Sequence, residues 1–176
     1  MKTSIKLFAL GMIMMGFSVN LNAQNPVAVV SAPAIASATI LTPIAIAKNT
    51  DLSFGNVIAS ASAGTVIYTP QGSRTATLGA SLHSMAGSPS VAKFTVTGSA
   101  GFSFSVSVPA NVTLSTSGSS PETMNVAIQK DFSASETLDG SGSKVLLVGG
   151  TLSVAAGQAA GTYTNTTDLK VTVNYN

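Results

Sequence analysis

Near the end of this 176-residue chain, Leu169, Val171, Val173 and Tyr175 alternate with Asp168, Lys170, Thr172 and Asn174. A β-strand puts successive residues on opposite faces, so an apolar residue at every second position marks a strand with one dry face and one wet face. The same period recurs upstream. Phe94 and Val96 alternate with Lys93, Thr95 and Thr97; Phe102, Phe104, Val106 and Val108 with Ser103, Ser105 and Ser107; Met124, Val126 and Ile128 with Asn125, Ala127 and Gln129. Outside the N-terminal segment no stretch carries a helical apolar period of useful length, which argues against bundles and α/β folds. Apart from a turn, residues 161–176 read as one long strand closing the fold, with no disordered tail and no appended domain behind it.

Between these runs lies turn chemistry. Residues 98–101 (Gly-Ser-Ala-Gly) predict a hairpin, Pro109-Ala110-Asn111 closes the next run, and residues 139–143 (Asp-Gly-Ser-Gly-Ser) separate two further segments. Gly149-Gly150 predicts a bulge or bend inside one long strand, and residues 155–161 the last loop. In residues 36–48, Ala38, Ile40, Thr42, Ile44 and Ile46 share a parity that Pro43 interrupts. Proline removes a ladder donor, so this segment is expected at a sheet edge or where a strand changes sheets. Strands joined by short Gly, Pro and Ser turns predict an all-β, antiparallel fold, a sandwich in preference to a closed barrel.

The N-terminus reads as an export signal. Lys2 and Lys6 precede an uncharged apolar run over residues 7–19, and Asn20-Leu21-Asn22-Ala23 forms a polar-to-small exit. The run is shorter than the roughly 20 apolar residues that cross a bilayer, so cleavage is expected between Ala23 and Gln24. Losing Lys2 and Lys6 lowers the eight basic residues to six, equal to the six acidic ones, and the net charge falls from +2 to 0. A neutral mature chain with one arginine, Arg74, offers no footprint for nucleic acid. The chain has no Cys, which removes disulfides, thiolate metal sites and Cys nucleophiles and suits a bacterial envelope. The expected destination is the periplasm, the outer surface or the medium. The expected organisation is a signal over residues 1–23, an extension over 24–35 and one β-domain over 36–176.

Catalysis has little to draw on. His83 is the single histidine, and no motif supplies it with an orienting acid or a nucleophile, so a solvated imidazole at a strand end is expected. Asp51, Glu122, Asp131, Glu136, Asp139 and Asp168 include no pair at i, i+2 or i, i+4. Residues 138–143 superficially resemble a calcium loop without its later acidic positions, leaving a turn as the expectation. Asn111-Val112-Thr113 and Asn165-Thr166-Thr167 match the short N-glycan acceptor pattern. The chain has no Trp; Phe54, Phe94, Phe102, Phe104, Tyr163 and Tyr175 read as core, and Tyr68 and Phe132 remain as candidate exposed rings. No cofactor, metal or catalytic residue is assigned, and the chain is expected not to be an enzyme.

Residues 24–35 are apolar and contain proline, either a loose leader or a strand meant for another chain. Val27, Val29 and Ile35 share one parity and form the candidate assembly strand, although Ser31 and Pro33 interrupt that face.

Several segments together carry a family resemblance: Ala38-Thr39-Ile40-Leu41-Thr42-Pro43-Ile44, Leu52-Ser53-Phe54-Gly55-Asn56-Val57, Phe94-Thr95-Val96-Thr97-Gly98, and residues 155–163 followed by Val171-Thr172-Val173-Asn174-Tyr175. In these the chain resembles the bacterial domain of unknown function family 4402. More distantly, the Phe-Gly after the first strand and the Gly-Thr-Tyr before the last resemble spore coat protein U and archaic chaperone-usher pilins. Those resemblances imply an immunoglobulin-like antiparallel β-sandwich of about seven to ten strands, and in pilins a sandwich completed by the N-terminal strand of the next subunit. This chain lacks the Cys pair that many pilins carry. The expectation is a structural surface protein of a Gram-negative bacterium, such as a pilus- or fibre-like subunit assembling by strand addition with itself or related subunits. The alternative is a monomeric secreted module that binds a glycan or host protein.

Overall fold

The computed structural model describes residues 29–176. The chain divides at Ala38 into two units. In the first, residues 29–38 carry no regular secondary structure and every one is exposed. The expected signal over residues 1–23, the expected cleavage between Ala23 and Gln24, and Val27 lie outside the described residues.

The second unit is all-β, with ten strands and no helix among the described residues. They are β1 (Ala45–Thr50), β2 (Val57–Tyr68), β3 (Arg74–Leu82), β4 (Ala92–Thr97), β5 (Ser103–Ser107), β6 (Asn111–Ser115), β7 (Thr123–Lys130), β8 (Ser135–Thr137), β9 (Ser143–Val154) and β10 (Thr172–Tyr175). The strands make two antiparallel sheets arranged as a sandwich. In the seven-stranded sheet β1 pairs β4, β4 pairs β9, β9 pairs β2, β2 pairs β3, and β7 pairs both β9 and β6. The three-stranded sheet runs β10-β5-β8.

Strand β9 is the spine. Val148 pairs with both Ala92 and Lys130, and Leu152 with both Val66 and Val126. One edge of β9 therefore holds β7, while the other holds first β4 and then β2. The change falls at Gly149-Gly150, where the strand continues unbroken. A Cβ at Gly149 would strike the Tyr68 carbonyl, so the close approach of β2 accounts for glycine there.

Of the residues that the alternation nominates, Phe94, Val96, Phe104, Val106, Met124, Val126 and Val171 are buried. Phe94, Val96, Phe104, Val106, Leu146, Val148 and Val171 form one apolar cluster between the two sheets. Val66, Tyr68, Val112, Met124, Val126, Leu152 and Val154 form a second on the large sheet. Fully burying a side chain such as Phe104 or Leu146 contributes about 1.5–3 kcal/mol. Among the described residues no polar or charged side chain is buried.

Four expectations are corrected. Residues 98–101 do not close a hairpin: β4 belongs to the large sheet and β5 to the small one, so the turn is an arch between layers. Both flanking runs carry large apolar side chains, and facing one another across a core buries more of them than lying side by side. The strand expected across residues 161–176 is only Thr172–Tyr175, and the preceding loop extends through Val171. Leu169 and Val171 keep the inward parity but stand beyond the end of the β5 ladder. Phe102 is 43% exposed, packing edge-to-face on Tyr175 with ring centroids 6.2 Å apart. Tyr68 and Phe132, the candidate exposed rings, are both buried. Of the two placements expected around Pro43, the structure shows the edge: β1 starts beyond the proline and pairs only with β4.

The β2–β3 pair holds a local anomaly. Its register passes from Ala59↔Ala80 to Gly64↔Leu78, so Ser60, Ala61, Ser62 and Ala63 stand opposite the single residue Gly79. Any Cβ at Gly79 would collide with the Ser62 carbonyl. Next to it, Leu78 adopts φ 57°, a left-handed conformation that costs an L-residue about 1–2 kcal/mol.

Candidate functional site

The small sheet has three short strands and the large sheet has seven, and part of the larger sheet's apolar face is covered by loops instead of strands. There a groove of about 1090 Å³ opens. Phe94, Val112, Met124, Val126, Leu152 and Val154 contribute its apolar lining; the segment from Asp51 to Ala59 and the loop from Gln158 to Thr166, with Leu169, border it.

The first border is pinned through backbone carbonyls. Arg74 donates from its guanidinium to the Phe54 carbonyl at 2.6 Å, and the Asn56 N–H donates to the Ala86 carbonyl at 2.9 Å. His83 lies just past the end of β3 and lines this groove. Its Nδ1 accepts the Met85 N–H at 3.0 Å, and among the described residues no side chain hydrogen-bonds the ring. The imidazole is half-buried, less solvated than expected.

The second border runs from Ala155 to Val171 without a regular strand, and side chains hold it. Gln158 Nε2 donates to Tyr163 Oη at 2.9 Å, and Tyr163 Oη donates to the Ala159 carbonyl at 2.7 Å. Asn165 Nδ2 donates to the Thr113 carbonyl at 2.8 Å, while its Oδ1 accepts the Thr167 and Asp168 N–H groups. Thr164 and Ser115 exchange both backbone hydrogen bonds, at 3.0 and 2.9 Å, so the loop caps the outer edge of β6. The Thr167 hydroxyl, and then the Asn165 amide, hold the Asp168 carboxyl below its ordinary value. Asp139 serves a similar local end. Asp139 is lowered by the Ser141 hydroxyl and the Ser143 and Ser141 N–H groups of its own turn. Among the described residues no cluster of three or more His, Cys, Asp or Glu could hold a metal ion.

A second feature is the free edge of β10, the outermost strand of its sheet. The Asn176 N–H donates to the Ser103 carbonyl, and the Val106 N–H points away from β10 to the Ala134 carbonyl. By the alternation of an antiparallel ladder, Thr172 and Asn174 aim their backbone groups at β5, and Val173 and Tyr175 aim theirs outward. That edge can take another strand. Of the candidate assembly strand, Val29 and Ile35 are 89% and 98% exposed. The groove and the β10 edge come from elements that sequence reasoning did not connect. In sequence the final loop reads as residues 155–161, seven residues long, and its full extent to Val171 appears only in the structure.

Over residues 44–175 the sequence matches the family described as Domain of unknown function (DUF4402). The chain belongs to this family. No curated protein and no solved structure matches it. The DUF4402 match begins one residue before β1 and ends on the last residue of β10. It therefore includes the groove, the long loop and the β10 edge, and leaves residues 29–43 outside. No helix among the described residues is long and apolar enough to cross a membrane.

Proposed function

We propose that this protein is an exported, non-enzymatic structural subunit of a Gram-negative bacterial surface, pilus- or fibre-like, that assembles by β-strand addition. The leader of one copy, with Val27, Val29 and Ile35 on one face, enters the groove of the next. The observation that carries this reading is the apolar groove within a sandwich whose smaller sheet ends in an unpaired edge. Main-chain hydrogen bonds to such an edge supply affinity, and alternate side chains filling apolar pockets supply specificity. From Gln24 to Ala47 the sequence carries no charge, so a leader would enter an apolar groove without desolvating an ion. Twelve extended residues, 24–35, reach about 40 Å, enough to cover a groove and continue along an edge. The distant resemblance to spore coat protein U and archaic chaperone-usher pilins adds support, and the signal-like residues 1–23 support export. The non-enzymatic reading draws on His83, whose Nδ1 is engaged by a backbone amide.

The test compares the size distribution of the mature protein with that of a version lacking residues 24–35, then adds a synthetic 24–35 peptide to the shortened protein. Assembly predicts oligomers only with the leader and saturable peptide binding without it. A strictly monomeric mature protein that ignores the peptide would replace this reading with a monomeric module binding a glycan or host protein.

A further inference from the structure

The single histidine of the chain, His83, sits in the turn that braces the first border of the groove. The loop after β3 docks on the segment between β1 and β2 through backbone pairs. Ser53 and Ser90 exchange both hydrogen bonds, at 2.8 and 3.0 Å, and the His83 N–H donates to the Asn56 carbonyl at 3.3 Å. Asn56 is held twice more, its N–H on the Ala86 carbonyl and its Nδ2 on the Met85 carbonyl at 3.0 Å. Residues 83–86 thus hold Asn56 from three sides, and both Asn56 and His83 line the groove. The imidazole shapes this turn. Its Nδ1 accepts the Met85 N–H, which only a ring nitrogen without a proton can do. The Met85 carbonyl lies 3.3 Å from the same nitrogen. The charged groups on the groove lining are Lys48 and Asp51, which pair with each other. Arg74, the only charged residue between Asp51 and Lys93, donates to the Phe54 and Ala86 carbonyls. In the second border the Tyr163 hydroxyl is engaged by Gln158 and Ala159.

We infer that His83 is a pH switch for this border: a proton taken from solvent turns Nδ1 from acceptor of the Met85 N–H into donor to the Met85 carbonyl, and the rearranged turn releases Asn56. A charged imidazole carries a proton on both nitrogens, so Nδ1 and the Met85 N–H then meet donor to donor. Relief of that contact pivots the peptides on either side of Met85. The Asn56 Nδ2 bond is made to one of them, and the Ala86 carbonyl that takes the Asn56 N–H is the next along. Met85 is 72% exposed and belongs to neither apolar cluster, so the turn rearranges without opening the core. Histidine is the side chain whose charge ordinarily changes between about pH 5 and 8, and here one ring holds that position. The braced border is the preorganised one, which binds at lower entropic cost, so mild acid weakens the groove's hold on its occupant. That the occupant is the leader rests on the strand-addition reading; the switch in the border does not.

The test is deuterium exchange of the full mature protein beside its His83→Asn and His83→Ala variants, each compared at the same pH so that intrinsic exchange cancels. Asparagine offers an oxygen to the N–H two residues on and takes up no proton; alanine offers nothing. Near pH 8 the wild type and the Asn variant should protect residues 54–57 and 83–87 alike. Near pH 5 the wild type should exchange there about fivefold faster than the Asn variant, the factor for one hydrogen bond, and the Ala variant should be fast at both. In the wild type alone the added exchange should follow a one-proton curve between about pH 5 and 8. Leader-dependent oligomers should dissociate near the acid end in the wild type and persist in the Asn variant. Equal exchange of wild type and Asn variant near pH 5, or a wild-type curve with no step in that range, overturns the switch. Oligomers that respond to pH identically in both proteins overturn its control of the groove. The exchange contrast without leader-dependent oligomers at any pH upholds the switch and removes the strand-addition reading instead.

Discussion

Replacing Tyr175 by Phe removes one oxygen and leaves the ring on Phe102. That oxygen accepts the Ser99 N–H at 2.7 Å and donates to the Thr42 carbonyl at 2.8 Å. It thus ties β10 to the arch between β4 and β5 and to the segment that leads into β1. The Thr42 carbonyl is exposed and recovers a water, so that half of the loss is about 0.5 kcal/mol, the low end for a hydrogen bond. The Ser99 N–H is half-buried, and leaving such a donor without its acceptor costs about 1–3 kcal/mol. Together the change is about 2 kcal/mol, which in a domain of this size lowers the melting temperature by roughly 4–8 °C. The chain has no Trp, so calorimetry or far-ultraviolet dichroism should follow the transition, and amide exchange should report faster opening at Ser99. A drop under about 1 °C with unchanged Ser99 exchange would refute the assignment of Tyr175 as the clasp of the last strand.

Val173 packs half-buried on the core between the sheets while Thr172 faces water. Val173→Asp should therefore cost on the order of 3 kcal/mol and Thr172→Asp within about 0.5 kcal/mol; equal damage in urea unfolding would mean the parity of β10 is misread. Glu136 pairs with Lys144 at 2.8 Å, and this bond, then the Ser133 N–H, holds its carboxyl below the ordinary 4.5. Its contribution to stability is present above that value and disappears as pH falls through the lower folded-state value. Glu136→Gln should accordingly flatten the acid side of the melting profile, and superimposable profiles would count against the pairing.

The features legible in the sequence are those that depend on neighbours two positions apart. Alternation assigned Phe94, Val96, Phe104, Val106, Met124 and Val126 to inward faces without knowledge of any partner, and all six are buried. Pro43 limited the segment before β1 to a sheet edge or a change of sheet, because a missing N–H acts wherever proline stands, and pairing with β4 alone decided for the edge. The turn at residues 98–101 was not decidable in this way. Gly-Ser-Ala-Gly permits a hairpin or an arch, and the choice rests on Phe94 and Phe104 meeting across one core. Phe102 shares the parity of Phe104, yet it precedes β5, and parity alone does not reveal where a covering layer stops.

The groove and the free β10 edge were not legible in the sequence. Gln158, Tyr163 and Asn165 are ordinary loop residues in sequence, and their roles appear when the chain brings Thr113 and Thr123 within hydrogen-bonding reach. By itself the sequence determined that this protein is built of antiparallel strands, with an apolar and a polar face along each, because strand periodicity is a local property of the backbone. Only the tertiary structure decided which strands share a sheet, that three short strands leave part of the larger sheet to be covered by loops, and that the turn at His83 braces Asn56 at the border of the groove. Each of these depends on contacts between residues far apart in the chain, and those are settled by burial and pairing of the whole domain at once.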